Sequence, residues 1–305
     1  MIPPMALGTM YFGTQVPRNQ AFACLNHAYE LGARFWDTAN NYAFWANGTG
    51  NESEETIGAW LAANGTGMRD EVTLATKIGA RPRSLGDGLD ASMGLSRRAI
   101  RTQVQDSLRR LDVDHVDVLY THIDDANTAL EETLDALSQL VDEGLTRTIA
   151  SSNLTAARLT EALETPSAHP YTALQQRFSY LEPAPSTDLS PHVLLDDEVS
   201  SLCSELNLTR LGYSPLLSGA YTRADRPLPE GYEMGPAASA ALTEIGNKYR
   251  LDRGQVVLSW MVRRREKVIP VVGVSTPEQV QSAWEAVTTT LNSSDVEWLE
   301  RARHE

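Results

Sequence analysis

Short apolar runs alternate with longer amphipathic stretches along most of the chain. The runs predict eight β-strands, at residues 5–9, 34–37, 72–77, 116–121, 146–151, 171–175, 209–213 and 268–272. The stretches between and after them predict helices near residues 19–31, 52–63, 96–110, 128–142, 155–163, 195–206, 237–249, 253–264, 277–287 and 293–303. Helix-start signals support three of these, namely Ser96, Thr128 with Glu131, and Pro277 after Thr276.

A strand that is regularly followed by a helix is typical of a parallel sheet. Eight such units favour an α/β fold, a (β/α)8 TIM barrel in one domain over residues 1–305, rather than a doubly wound sheet. No Gly-x-Gly-x-x-Gly, P-loop, Gly-x-Ser-x-Gly or His-Glu-x-x-His motif occurs in the chain. The longest irregular regions, 38–51, 78–95, 177–194 and 214–236, each follow a predicted strand, where barrel enzymes carry their active-site loops.

The charge balance limits the kinds of partner that the chain can have. Its 305 residues include 26 Lys and Arg against 40 Asp and Glu, which gives a net charge of −14. Such a chain repels phosphate backbones and anionic membrane surfaces, so we expect neither nucleic acid nor a membrane as a partner. Cys24 and Cys203 lie far apart in predicted helices, and the amino terminus lacks a signal sequence, which together predict a cytoplasmic protein with reduced thiols.

Reactive side chains fall at the carboxyl ends of three neighbouring predicted strands. Asp37 closes the second strand, Lys77 closes the third, His122 follows the fourth, and Tyr42 lies in the loop after Asp37. A lysine at the end of a buried strand needs a partner, which Asp37 supplies. Because a neighbouring ammonium lowers the pKa of a phenol, we expect Tyr42 to act as a general acid near neutral pH.

These residues lie in segments that resemble those of the aldo-keto reductases in the same order over almost the whole chain. The segments are Leu-Gly-Thr-Met at 7–10, Phe-Trp-Asp-Thr-Ala-Asn-Asn-Tyr at 35–42, Ala-Thr-Lys-Ile-Gly at 75–79, Tyr-Thr-His-Ile-Asp-Asp at 120–125, Ala-Ser-Ser-Asn at 150–153, Leu-Gln at 174–175, Gly-Tyr-Ser-Pro-Leu at 212–216 and Val-Ile-Pro-Val-Val-Gly-Val-Ser at 268–275.

The resemblance implies hydride transfer between a nicotinamide and the carbonyl or alcohol carbon of a small aldehyde, ketone or sugar, without a metal. It implies a catalytic tetrad, in which Tyr42 donates the proton, Lys77 lowers its pKa, Asp37 orients Lys77, and His122 binds the carbonyl oxygen.

The same resemblance implies a cofactor site along the barrel rim. Ser152, Asn153 and Gln175 are expected to bind the carboxamide, and Tyr213 to stack on the nicotinamide ring. Groups around Ser214, Leu216 and Gly219 are expected to hold the pyrophosphate, with Arg223 as a charged clamp. The remaining expected cofactor-binding residues are Gly8, Thr9, Met10, Asp37, Pro215, Gly273, Ser275, Thr276 and Gln279.

The chain departs from the family pattern at two places. The segment 273–283, where many members place Lys or Arg against the 2′-phosphate of NADP, offers Ser275, Thr276 and Gln279 but no cation. We therefore expect NADP(H) to be only slightly favoured over NAD(H). Only four residues precede the first predicted strand, so we also expect the N-terminal hairpin of the family to be absent.

Aromatic residues after the strands are candidates for a substrate wall, and Tyr11, Phe12, Trp45 and Tyr180 are the four that we select. Such a wall fits a flat carbonyl compound or the face of a sugar. Two other functions stay open, a cofactor-binding regulatory subunit of the same fold and a metal-dependent barrel hydrolase that uses His122, Asp124 and Asp125.

Overall fold

Eight parallel strands close into a barrel in the computed structural model of the chain, which describes residues 3–46, 48–65, 67–84 and 86–305. The strands are β1 (Ala6–Gly8), β2 (Phe35–Asp37), β3 (Thr73–Ile78), β4 (Val116–Thr121), β5 (Thr146–Ser152), β6 (Ala173–Arg177), β7 (Thr209–Tyr213) and β8 (Ile269–Gly273). Each strand pairs with the next one in the chain, and β8 pairs with β1. The predicted (β/α)8 barrel is therefore confirmed.

Over the described ranges, ten α-helices connect or follow the strands. They are α1 (Arg18–Leu31), α2 (Glu52–Asn64), α3 (Arg97–Leu111), α4 (Leu130–Asp142), α5 (Ala156–Glu164), α6 (Asp197–Glu205), α7 (Pro236–Tyr249), α8 (Arg253–Arg263), α9 (Pro277–Thr288) and α10 (Ser293–Ala302). The Ser96 side chain caps α3 as predicted, and Pro277 begins α9 as predicted, with the Thr276 side chain as its cap. Thr128 does not cap α4, because its hydroxyl donates instead to Asp125 Oδ2 at 2.7 Å.

Alternation of side chains along each strand separates two apolar layers. Every second residue of a strand, such as Phe35, Ala75 and Leu211, fills the barrel interior, whereas neighbours such as Trp36 and Leu74 pack outward beneath the helices. This period of two also turns the polar residues at the strand ends toward the barrel axis, and these are Asp37, Lys77, His122, Ser152, Gln175 and Tyr213. The architecture thus gathers polar groups at one mouth.

Several boundaries differ from the prediction, and β6 differs most. It ends at Arg177 rather than at 175, two residues further along the chain. Among the described residues, no strand precedes β1 and no helix is both long and apolar enough to cross a membrane. Cys24 in α1 and Cys203 in α6 are both buried and unpaired with each other.

Candidate active site

Lys77 is the centre of a buried hydrogen-bonded cluster at the barrel mouth. Its side chain is 1% exposed, and Nζ donates to Asp37 Oδ1, to Tyr42 Oη at 2.6 Å and to the Thr38 carbonyl oxygen at 3.0 Å. The Tyr42 hydroxyl in turn donates to Asp37 Oδ1 at 3.1 Å. Asp37, Tyr42 and Lys77 are thus brought together as the sequence predicted.

The loop after β2 places Tyr42 over this cluster because neighbouring elements hold it. The Asn41 amide donates to the Ala80 carbonyl oxygen at 3.0 Å, and the Asn40 amide donates to Gln103 Oε1 of α3 at 3.0 Å. Arg81 donates to the Asn40 carbonyl oxygen and, at 2.8 Å, to Asn51 Oδ1 on the far side of the loop. The phenol therefore depends on contacts from β3 and α3 as well as from its own strand.

Burial sets the protonation of the cluster. Burial, and after it the negative charge of Asp37, raises the pKa of Tyr42 well above its usual value. This direction is opposite to the one that we expected from Lys77 alone. Burial also lowers the pKa of Lys77, although Asp37 opposes that shift. Tyr42 is therefore a protonated phenol, and the buried ammonium group of Lys77 lies beside its oxygen.

His122 completes the group from the end of β4. Its ring lies edge-on to Tyr42, with 5.8 Å between the ring centroids. Nδ1 is buried and has no hydrogen-bond partner among the described residues. Burial, and after it the charge of Lys77, lowers the pKa of His122 well below its usual value. The ring is therefore neutral and can offer one N–H to an oxygen in the mouth.

A second polar set lies beside the first at the ends of β5, β6 and β7. The Gln175 amide donates to Asp37 Oδ2 at 2.8 Å, and Ser152 Oγ donates to the Gln175 carbonyl oxygen at 2.6 Å. Asn153 Nδ2 donates to the His122 carbonyl oxygen at 3.0 Å, and Asn153 Oδ1 accepts from the Tyr213 hydroxyl at 2.7 Å. The expected carboxamide and ring-stacking residues therefore adjoin the candidate tetrad.

The turn after β7 has an unusual backbone. Ser214, Leu217 and Ser218 all have positive φ angles, of 55°, 46° and 59°, which cost energy in residues other than glycine. Pro215 lies within this turn, and its carbonyl oxygen accepts from Ser179 Oγ at 2.7 Å. The Gly219 N–H donates to the Leu216 carbonyl oxygen at 2.8 Å. Strain of this kind concentrates where a loop is shaped for a ligand.

The expected clamp Arg223 is not a free cation. Its guanidinium pairs with Asp225, with Nε to Oδ1 at 3.0 Å and Nη2 to Oδ2 at 2.6 Å. A phosphate would therefore compete with Asp225 for this side chain.

The rim formed by β1 and β8 is built mainly from backbone and hydroxyl groups. Gly8 pairs with Gly273, and Met10 lies partly buried in the turn after β1. Thr9 is fully buried, and its hydroxyl donates to the Asp37 carbonyl oxygen at 2.9 Å. Its N–H donates to the same carbonyl oxygen at 3.1 Å, so Thr9 supports the rim from beneath and leaves no group free for a ligand.

The start of α9 offers few free donors. The Ser275 N–H donates to Gln279 Oε1 at 2.6 Å, and Thr276 Oγ1 accepts from the Gln279 N–H at 3.4 Å. Gln20 of α1 donates to the Ser275 carbonyl oxygen at 2.7 Å. This corner of the rim therefore presents the Ser275 hydroxyl and a helix N-terminus, and none of these contacts brings a cation.

Two of the four candidate substrate residues lie elsewhere. Phe12 is fully buried in the outer apolar layer, and Tyr180 is fully buried against Trp260, where its hydroxyl donates to the Leu299 carbonyl oxygen at 2.9 Å. Neither can line a pocket in this structure. Trp45 is 51% exposed on the short 3-10 turn that follows Tyr42, and Tyr11 is partly buried, so these two stay candidates.

Some residues near the mouth were missed by sequence reasoning. Arg177 ends β6, His192 Nδ1 lies 3.0 Å from the Tyr213 hydroxyl, and Arg81 fastens the loop of Tyr42. A prediction that ended the sixth strand two residues later would have found Arg177, because it would then have been a charged residue at a strand end.

The acidic pair after β4 has other partners than the hydrolase hypothesis requires. Asp124 pairs with Arg158 at 3.0 Å, and Asp125 accepts from the Leu95 N–H at 2.8 Å. Over the part of the chain that the structure describes, no three His, Cys, Asp or Glu side chains gather in a way that could hold a metal ion.

Comparison with known proteins decides the family. The model of the aldo/keto reductase family matches residues 4–304. The chain belongs to this family. The resemblance that the sequence motifs indicated is therefore confirmed, and the chain is a member of a family of oxidoreductases.

Two curated relatives of this aldo/keto reductase match it over nearly its whole length. A norsolorinic acid reductase of Emericella nidulans is 30% identical over 98% of this chain and 78% of its own. An aryl-alcohol dehydrogenase of Pestalotiopsis microspora is 27% identical over the same shares.

Solved structures agree on the fold. A thermostable aldo-keto reductase in complex with the inhibitor epalrestat has a TM-score of 0.77 at 22% identity, and covers 99% of this chain and 95% of its own. An aldo/keto reductase from Klebsiella pneumoniae, in complex with NADP and acetate, has a TM-score of 0.75 at 23% identity, and covers 98% of this chain and 91% of its own.

Proposed function

We propose that this chain is an NAD(P)(H)-dependent oxidoreductase that interconverts carbonyl compounds and alcohols with Tyr42 as the proton donor and acceptor. The observation that carries the proposal is the buried cluster in which Lys77 Nζ donates to Tyr42 Oη at 2.6 Å. A phenol that keeps its proton, with an ammonium at its oxygen, is suited to give that proton to an oxygen that gains negative charge.

Each member of the tetrad has a role that follows from its contacts. Tyr42 gives its proton to the carbonyl oxygen, and Lys77 stabilises the phenolate that remains. Asp37 keeps Lys77 charged and positioned by accepting its hydrogen bond. The neutral His122 ring donates a hydrogen bond to the same substrate oxygen and so aligns it with Tyr42. In the oxidative direction the proton moves back to Tyr42.

The rim residues fit a nicotinamide dinucleotide by the chemistry of their donors. Ser152, Asn153 and Gln175 are amide and hydroxyl groups that can bind a carboxamide, and the Tyr213 ring is held at the mouth by its hydroxyl. The strained turn 214–219 fits a pyrophosphate. A bound nicotinamide would supply or accept the hydride. Because the start of α9 carries no cation in the segment 273–283, we propose that NADP(H) is only slightly preferred over NAD(H).

For the substrate, we propose a small aromatic aldehyde, ketone or alcohol. One relative is named an aryl-alcohol dehydrogenase. In this chain, Trp45 presents an exposed indole three residues after Tyr42, edge-on to the Phe44 ring at 5.0 Å. Such rings can stack on an aromatic substrate beside the proton donor.

Substitution Tyr42→Phe tests the proposal, because it removes one hydroxyl and leaves the ring. We expect kcat for aldehyde reduction to fall by about 10²–10⁴-fold, while NADPH binding, followed through quenching of the tryptophan fluorescence, stays within about twofold. Tyr29→Phe removes a hydroxyl on α1, outside the barrel, and is the matched control with unchanged kcat.

The outcomes separate the competing functions. Turnover retained by Tyr42→Phe would mean that the proton donor is misassigned. Cofactor quenching in the native protein without turnover of any aldehyde or alcohol, in a panel run with both cofactors, would favour the regulatory subunit instead. Absence of quenching with both NADPH and NADH would contradict both functions.

A further inference from the structure

Arg177 brings a positive charge to the mouth beside the candidate active site. It is the last residue of β6 and pairs in register with Tyr213 of β7, which packs on the inner apolar layer. It also follows Gln175, whose amide contacts Asp37, by two residues on the same face of the strand. At a rise of about 3.3 Å per residue, the Arg177 backbone lies roughly 7 Å beyond Gln175 toward solvent.

The Arg177 guanidinium has no counter-charge in the part of the chain that the structure describes. Nε donates to the Tyr232 hydroxyl at 2.9 Å, and the group lies over the Tyr232 ring at 5.5 Å from its centroid. Neither Nη atom has a hydrogen-bond partner among the described residues, and neither is buried. By contrast, Arg158 and Arg223, which also lie beyond strand ends, are paired with Asp124 and Asp225.

The Arg177 guanidinium lies among two tyrosines and a histidine. The Tyr213 hydroxyl lies 3.0 Å from Nδ1 of the exposed His192 ring. Burial, and after it the charge of Arg177, lowers the pKa of His192, whereas burial raises the pKa of Tyr213 and the charge of Arg177 opposes that rise. Tyr232 anchors the guanidinium through its oxygen and leaves the Nη edge available. Among the described residues, Arg177 thus places a cation without a carboxylate partner at the mouth of a chain whose net charge is −14.

We propose that Arg177 binds a carboxylate carried by the substrate at the end opposite to the reacting carbonyl. The inference rests on the proposed function and names the substrate class of that same site, an aromatic carbonyl compound with an acidic group. Two Nη donors match the two oxygens of a carboxylate. Because the Gln175 amide contacts Asp37 of the tetrad, the rise of roughly 7 Å from Gln175 to Arg177 leaves room for one aromatic ring between the tetrad and the guanidinium.

Two matched aldehydes test this assignment, 4-carboxybenzaldehyde and its uncharged methyl ester. In the native protein we expect kcat/KM for the acid to exceed that for the ester by about tenfold or more, since a hydrogen bond to a charged group is the stronger kind. In Arg177→Gln the ratio should fall to near one, with kcat/KM for the ester within about twofold of native. Arg177→Lys should keep part of the preference, because it keeps the positive charge and loses the planar pair of N–H donors that matches a carboxylate.

A control variant and a binding measurement make the result specific. Arg109→Gln changes the net charge equally in the last turn of α3, at the other end of the barrel, and should leave the ratio unchanged. Binding of both aldehydes to the NADP⁺-loaded protein, followed by tryptophan fluorescence, should show the same acid preference without turnover.

Three results would overturn the assignment. They are equal kcat/KM values for acid and ester in the native protein, an equal loss for both in Arg177→Gln, and weaker NADP⁺ binding in Arg177→Gln with an unchanged ratio. The last would assign Arg177 to a cofactor phosphate. Absence of ester turnover in the native protein would contradict the proposed function, whereas the aldehyde-binding difference tests Arg177 by itself.

Discussion

Asp37, Lys77 and Tyr42 are joined by hydrogen bonds between every pair of them. Lys77 and Asp37 are both buried, at 1% and 0% exposure, and each is the other's counter-charge. Removing one member alone would leave a buried charge without a partner, which is strongly destabilising. This interdependence also explains why the sequence reveals the site, because a lysine at the end of an apolar strand is rare unless it is paired.

The protonation state of His122 determines how kcat/KM should depend on pH. Its pKa lies well below the usual value because the ring is buried near Lys77. The ring stays neutral from about pH 6 to pH 8, so we expect kcat/KM for aldehyde reduction to show no acid limb from this residue over that range. A pH–rate profile in buffers of constant ionic strength measures this directly.

The same shift also affects stability. A histidine whose pKa is lower in the folded than in the unfolded state binds fewer protons when folded, so the free energy of unfolding falls as the pH drops below about 6.5. His122→Gln should therefore lose less stability than the native protein between about pH 7 and pH 5 in urea unfolding. A fall in kcat/KM below about pH 6.5 that is absent in His122→Gln would show that the native His122 ring becomes protonated in this range, and would contradict the prediction.

At the scale of elements, the candidate site depends on the loop after β2, which side chains from neighbouring elements hold in place. The segment after β2 carries Tyr42, and Arg81 bonds to it on both sides, at the Asn40 carbonyl oxygen and at Asn51 Oδ1. Arg81→Met should let this loop shift. Because a displacement of the order of 1 Å is costly in catalysis, we expect kcat to fall by about 10–100-fold.

The matched control for Arg81 is two residues away. Arg83 donates to the Ser92 carbonyl oxygen at 3.1 Å within its own loop, so Arg83→Met should leave kcat unchanged. NADPH binding should stay within about twofold of native in both variants, since the hydrogen bonds that the described residues give both arginines lie in the loops after β2 and β3, away from the β5–β8 rim. Equal effects of the two substitutions on kcat would show that general stability, and not the position of Tyr42, had changed.

Periodicity predicts much of this arrangement, and it fails where a chain turns beyond a strand. The eight strands, and the inward direction of Asp37, Lys77 and His122, follow from period two and chain order. Phe12 and Tyr180 were misplaced because an aromatic residue beyond a strand end can turn outward as easily as inward, and both join the outer layer. The direction of the Tyr42 pKa depends on the depth of burial, which a sequence does not give.

For the molecule as a whole, the barrel architecture makes the mouth locally positive although the net charge of the chain is −14. The strands end where the helices begin, so helix N-termini, with their partial positive charge, surround the mouth. Arg177 adds a full charge there. An acidic chain can therefore bind an anionic cofactor if recognition is local and short in range, as screening at physiological salt requires.

Substitutions in α9 test whether local charge or net charge determines the preference between NADPH and NADH. Gln279→Arg puts a guanidinium in the first turn of α9 and keeps the Thr276 cap, which bonds to a backbone N–H. We expect the NADPH dissociation constant, from tryptophan quenching, to fall by about tenfold or more, because a charge-assisted hydrogen bond reaches the 2′-phosphate.

Since NADH lacks that phosphate, its dissociation constant should stay within about twofold, and the NADPH gain should shrink with added salt. Gln281→Arg adds the same unit of positive charge two residues further along α9, where the native side chain contacts His27 and Glu285. It should change NADPH binding by less than about twofold, since residues two apart on a helix face different directions. An equal gain in both arginine variants would instead mean that the net charge of the whole molecule sets the preference.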